Sequence, residues 1–136
     1  MKIYANFKVR LIAHIIDIAI LYLSVIMLST ILAPLPEVHT SIFKELAYII
    51  ISIIYYTIFT SSNKCATIGK LVMKIKVVNE KMDRLSLAHS LARSFSYYFS
   101  YITLGLGFIM ILFTKNNMAL HDKISNTYVI YNKKAT

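Results

Sequence analysis

Arg10, His14, Asp17 and Ser24 follow one another at intervals of four, three and seven residues. On a helix these four side chains share one face, which would be polar while Ile15, Ile16, Leu23 and Ile26 supply apolar surface around it. Between residues 11 and 33 the acidic, basic and imidazole side chains are His14 and Asp17 alone. If Arg10 sits at the edge of a bilayer, Asp17 lies about 10 Å further in at the rise of an α-helix. An unpaired carboxylate there costs on the order of 2.5–3.5 kcal/mol on insertion scales, so it must be protonated, paired or wetted. Two chemistries follow. A carboxylate withdrawn from water can exchange its charge with a proton or a cation, or it can clamp the helix to Arg10, to His14 or to a neighbouring helix.

Arg93 and Asp122 are a second possible pair, and His121 beside Asp122, like His14 near Asp17, could relay protons. The two histidines make no metal-ligand pattern of the HExxH or paired-cysteine kind, and Cys65, the single cysteine, makes no internal disulfide. No metal or cofactor is expected. Thr67, Gly69 and Lys70 match the end of a phosphate-binding loop, but the first glycine of GxxxxGK[ST] is missing and Leu71 stands where the hydroxyl belongs. There is no GxSxG elbow, no nucleophile constellation and no close pair of carboxylates in one motif, so an enzyme is not expected.

The elements that would hold these residues are membrane helices. Of 136 residues 57% are hydrophobic, and the mean hydropathy is +0.62, above the usual share of a soluble protein. Residues 11–33 form an apolar run about 34 Å long as a helix, enough to cross the hydrocarbon, and Pro34 and Pro36 end it. The run exceeds the roughly 7–15 apolar residues of a signal peptide and has no small-x-small cleavage site before Pro34, so a retained helix is expected. A second span is expected over 42–60, with Lys44 snorkelling and Tyr48, Tyr55 and Tyr56 suited to helix ends and interfaces.

Met73, Ile75 and Val77 alternate with Lys74 and Lys76 at the period of a strand, and residues 79–83 read as a turn. Ser86 can cap a further helix in which Leu87, Leu91, Ala92 and Phe95 share one side and His89 and Arg93 mark the other, the pattern of a helix in the interface. An uncharged stretch over 95–113 then either crosses once or folds at Gly105 and Gly107 into a hairpin. Residues 127–131 are β-prone and could pair with 73–78 as a small cytoplasmic β pair.

The formal charge of +9 is not spread as a nucleic-acid patch. Lys2, Lys8 and Arg10 open the chain, a dense group runs from Lys64 to Arg93, Lys115, Lys123, Lys133 and Lys134 close it, and Lys44 stands apart. Basic residues favour the cytoplasmic side, so the hairpin, which keeps all three groups there, is preferred. Both termini are then cytoplasmic. The fold class is an all-α membrane protein, one domain over 1–136.

The chain resembles the RDD family of small bacterial integral membrane proteins, named for an arginine opening the first helix, an aspartate within it and a later aspartate. Arg10, Asp17 and Asp122 stand at those positions. The stretch Arg10-Leu-Ile-Ala-His-Ile-Ile-Asp17 fits the family's opening, Thr67-Ile-Gly-Lys70 with Lys74-Ile-Lys-Val-Val78 its middle, and Leu85-Ser-Leu with Arg93 precedes Leu120-His-Asp122. Where family members often carry a glycine in the turn, this chain has Glu80-Lys81-Met82. The resemblance implies a multi-pass protein of the bacterial cytoplasmic membrane. The family is mostly described as of unknown function, with transport suggested and cation/proton antiport proposed for some members.

The expectation is a protein that moves or binds a small cation or solute, coupled to protons, with Asp17 titrating, Arg10 as its charge partner, and Arg93 and Asp122 as a cytoplasmic gate or clamp. Two spans and a hairpin enclose little pathway, so a homo-oligomer is expected beside the lipid bilayer as partner. The rival expectation is a non-transporting accessory or scaffold protein whose charges lock the helices and whose basic face binds anionic lipid or a partner.

Overall fold

Asn6 starts the first helix four residues before the apolar run does. Its side chain accepts a hydrogen bond from the Val9 amide at 3.0 Å, satisfying one of the donors a helix start leaves open. Helix α1 (Phe7–Ile31) is therefore about 37 Å long, and Thr40 starts α2 (Ser41–Ser61) through the same kind of cap, from the Phe43 amide at 3.2 Å. The fold is that of a computed structural model describing residues 4–35, 40–102 and 106–132, with backbone alone at 100–102 and 106–108.

Both helices are long and apolar enough to cross a membrane, and in each only 22% of the most apolar stretch is buried. A core helix of a soluble protein would be mostly buried. In α2 the exposed residues Ile42, Leu46, Ile50, Ile54 and Ile58 recur every four positions, whereas the buried ones are Ser52, Tyr56, Thr57 and Thr60. Helix α4 (Leu87–Ile102) repeats the inversion: Leu87, Leu91, Phe95 and Phe99 are exposed, and Ser90, Arg93 and Ser94 are buried. Ser86 caps it as expected, accepting from the His89 amide at 3.2 Å. The face that an interfacial helix would show to water is instead turned into the protein, where it packs on α2 through Thr57 and Ser94, whose hydroxyls are 3.1 Å apart.

At one end of these helices sits a cap. Strands β1 (Ile75–Asn79) and β2 (Thr127–Tyr131) pair antiparallel, with Val77 opposite Val129. Ala5 joins the β2 edge, its amide 2.9 Å from the Val129 carbonyl. Ala5, Ala13, Ile75, Val77, Leu85 and Val129 form the buried apolar cluster that seats the pair against the start of α1. Two five-residue helices complete the cap: α3 (Ile68–Val72), packed on α1, and α6 (Leu120–Ile124), packed on α4. The turn after β1 closes on the Asn79 side chain, which accepts from the Lys81 and Asp83 amides at 2.9 Å each. Met82 in that turn has φ of 64°, the left-handed region that glycine enters without steric cost.

The described residues of 95–113 fall in two helices. Helix α4 ends at Ile102 and α5 (Leu106–Phe113) begins after it, with Gly107 inside α5 and Gly105 outside the described residues. The chain then comes back: Asp122 lies 2.6 Å from Arg93, and the His89 ring nitrogen contacts the Ser125 carbonyl, both in the first half of α4. In a chain carrying Cys65→Ser, a short bismaleimide should therefore join His89→Cys to Ser125→Cys in intact membranes, giving a linked peptide on mass spectrometry of the digest. Absence of that peptide at full thiol labelling would remove the return.

Candidate functional site around two buried aspartates

Asp122 stands at the third position of α6, where its Oδ2 accepts from the Ala119 amide at 3.1 Å. The same oxygen pairs with Arg10, whose other terminal nitrogen reaches the Asn117 carbonyl. Oδ1 pairs with Arg93 at 2.6 Å, and Arg93 Nε donates to the Thr127 hydroxyl at 3.1 Å. His121 Nε2 is 3.4 Å from Oδ1. Asp122, Arg93 and His121 are all buried. Burial works against the Asp122 charge, but Arg10, His121 and Arg93 outweigh it and hold the carboxyl well below the usual carboxylate range. His121 is itself kept neutral at ordinary pH, because burial lowers it more than Asp122 raises it. At neutral pH the two arginines therefore carry the pairing.

Asp17, 1% exposed, has a different set of partners. Its Oδ1 accepts from the Tyr55 hydroxyl at 2.7 Å and the Gly69 amide at 2.8 Å, and its Oδ2 from the Thr67 hydroxyl at 2.6 Å. Thr67 is also the N-cap of α3, and Tyr55 accepts from the Ile68 amide at 3.0 Å, so the carboxylate ties α1 to α2 and α3 together. A Cβ at Gly69 would fall 2.1 Å from the Ala13 carbonyl oxygen and 2.9 Å from the Asp17 carboxyl, so this close approach requires glycine.

The expected Arg10–Asp17 pair is not formed. Arg10 belongs to Asp122, and Ser24, on the same expected stripe, donates to the Ile20 carbonyl at 2.9 Å. His14 meets Tyr97, whose hydroxyl is 2.7 Å from Nδ1 and 2.6 Å from Nε2, and Tyr56 at 3.5 Å. The expected Arg93–Asp122 pair is present.

Arg10, His14, Asp17, Arg93 and His121 nevertheless converge, lining one small chamber of about 40 Å³ with Tyr56, Lys70, Ser94 and Tyr97. Its walls come from α1, α2, α3, α4 and α6. Above it, between α1, α2 and α4, lies a groove of about 830 Å³ with Tyr22, Tyr48 and Tyr98 on its walls and Lys44 and Glu45 among its lining residues. Tyr56 and Tyr97 line both spaces, their rings 5.3 Å apart. Lys70, noted from sequence only as the end of an incomplete phosphate-binding loop, lines the chamber with Ser94 and Tyr97, which no motif marks. Burial, and then Arg93, lower its ammonium to about 7, against the opposing pull of Asp17 and Asp122. Among the described residues no three His, Cys, Asp or Glu side chains come together as metal ligands. Tyr55, Thr67 and Gly69 were missed as partners of Asp17. The signal that could have found two of them is Thr67-Ile-Gly-Lys70 itself, a capping threonine followed by a glycine.

Asp122→Asn should destabilise the chain by about 3–5 kcal/mol, because it leaves two buried guanidinium groups without their counter-charge, and Asp17→Asn by about 1.5–3 kcal/mol. Thermal unfolding in detergent checks both. The pH dependence follows from the depressed Asp122 carboxyl: its stabilisation is fully present above the ordinary value of 3.8 and lost as pH falls below it. The wild type should weaken progressively in acid below about pH 4, and Asp122→Asn should lack that component. Gly69→Ala should cost about 1–3 kcal/mol or more by overpacking.

The sequence pattern of the RDD family matches residues 4–126. The chain is 42% identical over 86 residues to "Uncharacterized protein YxaI" of Bacillus subtilis (strain 168), covering 63% of this chain and 56% of that protein. It is 34% identical over 68 residues to "Uncharacterized protein RP437" of Rickettsia prowazekii (strain Madrid E), covering 49% of this chain and 37% of that protein. The chain thus spans about half the length, or less, of these curated relatives. No solved structure matches. With the match running through nearly the whole chain, this protein belongs to the RDD family.

Proposed function

We propose that the chain is a multi-pass protein of the bacterial cytoplasmic membrane that moves a small solute across it, coupled to protons. The observation that carries this reading is the stacking of two spaces along one helix bundle. A wide apolar groove leads to a small charged chamber, and one pair of tyrosines, Tyr56 and Tyr97, walls both. Ligand sites are typically such concave, mostly apolar spaces with a few convergent polar groups. Lys70, brought near neutrality at the chamber wall, supplies a group that can take and release a proton. Asp17 is a poor cation site by comparison, since both its oxygens already accept from protein donors.

The orientation follows from the basic residues. Lys8, Lys64, Lys74, Lys76, Lys115 and Lys123 belong to the cap or to segments adjoining it, while Lys44 belongs to the opposite end of the bundle. The positive-inside rule favours the cap and both termini in the cytoplasm. The groove is bounded by three helices, and a second copy of the chain would close it against lipid, so a homo-oligomer is the assembly proposed.

A second reading has its own support. Both aspartates are fully engaged in holding elements together, which suits a non-transporting scaffold whose basic cap binds anionic lipid or a partner.

Purified chain in proteoliposomes, with internal pH followed while gradients of Na⁺, K⁺ or Li⁺ salts are imposed, separates the two. Under transport the wild type should move protons and Lys70→Met should do so at least tenfold more slowly, on the order of losing a positioned proton-transfer group. Wild-type liposomes that match protein-free ones under every salt would move the scaffold reading ahead.

A further inference from the structure

The chamber is unbalanced in charge. Arg10, Lys70 and Arg93 line it, and the carboxylates near them are Asp17 and Asp122. Asp122 is taken by the two arginines, and Asp17 by the three neutral donors described above. Lys70 forms no ion pair among the described residues. With Lys70 protonated, three cations face two carboxylates, and the surplus charge stands in a narrow, half-buried pocket. Such a charge is costly unless it is paired or neutralised. Arg93, moreover, commits Nε to Thr127 and one terminal nitrogen to Asp122, which leaves its second terminal nitrogen as a donor for the chamber it lines.

A space of about 40 Å³ exceeds the roughly 10–15 Å³ that a single water needs. It is far too small for a polyatomic organic solute. We propose that this chamber binds one monovalent inorganic anion of halide size, with Lys70 as its counter-ion and Arg93 and the Tyr56 hydroxyl as further donors. This deepens the transport reading by naming the class of solute, and it rests on that reading for movement but not for binding.

Binding is tied to protonation. The groups that face Lys70 are Arg10, His14 and Asp17 on α1, Tyr56 on α2, Arg93 and Tyr97 on α4, and His121 and Asp122 on α6. The two guanidinium groups are paired with Asp122 and the Asp17 carboxylate is held by three neutral donors, so the protonation of Lys70 sets the charge offered to a ligand. The lysine ammonium is lowered by burial and by Arg93 and Arg10. An anion opposes that lowering, and by reciprocity a protonated Lys70 raises anion affinity.

The test is thermal unfolding of the full chain in detergent at constant ionic strength, titrating chloride against gluconate at about pH 6 and about pH 9, on either side of the lysine value. Chloride should raise the unfolding midpoint at the lower pH, with an apparent affinity about a hundredfold weaker at the higher one, where about 1% of Lys70 keeps its proton. Lys70→Met should lose the chloride effect, and Lys70→Arg, which does not titrate, should keep it at both pH values. Equal midpoints in chloride and gluconate for the wild type at about pH 6 would mean that the chamber holds water only, and would overturn the proposal without reference to any variant. A chloride effect that survives in a folded Lys70→Met, or that sulfate reproduces, would overturn it as well. Chloride-dependent stabilisation with no chloride-driven proton movement in liposomes would uphold the site and sink the transport reading, so the two fail separately.

Discussion

The shared carboxylate of Asp122 is the constraint around which the cap is organised. A carboxylate has two oxygens and can receive a fork-shaped donor on each, and here Arg10 from the first helix and Arg93 from the fourth use one apiece. Because Arg10 is three residues into α1 and Arg93 six residues into α4, satisfying both charges brings the starts of two helices to one point. That point is the third residue of α6, so the chain after α5 has to return to the same end of the bundle. The alternative, two arginines and an aspartate each buried alone, would cost several kcal/mol per ion. The hairpin-like course of the C-terminal half is thus a consequence of ion pairing as much as of any glycine.

The second aspartate works without an ionic partner, and the comparison is instructive. Asp17 collects a phenol, an alcohol and an amide, all neutral, from elements 38, 50 and 52 residues further along the chain. Charge-assisted bonds from neutral donors are stronger than neutral ones and confer no surplus charge on the site. One aspartate therefore sets where α3 docks on α1, and the other closes the cap from the opposite side. Between them the walls do not quite meet, and the residual space is lined by side chains from five helices.

Much of this was legible in the residues, and the failures have physical reasons. Residues 127–131, rich in β-branched and aromatic types, form β2 with the expected bounds, and the second span differs from expectation by one residue at each end. The reading of Arg10 as partner of Asp17 went wrong on geometry available from the start. Seven residues are two helical turns, about 10 Å, and neighbours in contact on a helix are three or four apart. A shared face is not a contact. Helices α3 and α6 span five residues each, too short for an apolar period to register. His89 and Arg93 marked a polar face correctly but not which way it turned, since the same stripe suits water outside or a polar interior within lipid.

That ambiguity resolves once the neighbours of the stripe are considered. A polar face toward water can leave its hydroxyls to solvent, whereas a polar face in hydrocarbon must find partners on another helix. Helix α2 carries the complement: Ser52 meets Tyr98, and Thr57 meets Ser94, along an antiparallel ladder. The outward residues of both helices are isoleucine, leucine and phenylalanine. Between apolar helices in lipid there is no hydrophobic drive to associate, so hydroxyl pairs and close packing hold the pair instead. Ser52 and Tyr98 also line the groove and Ser94 lines the chamber, so the hydroxyls that hold the two helices together are among the residues that wall both spaces.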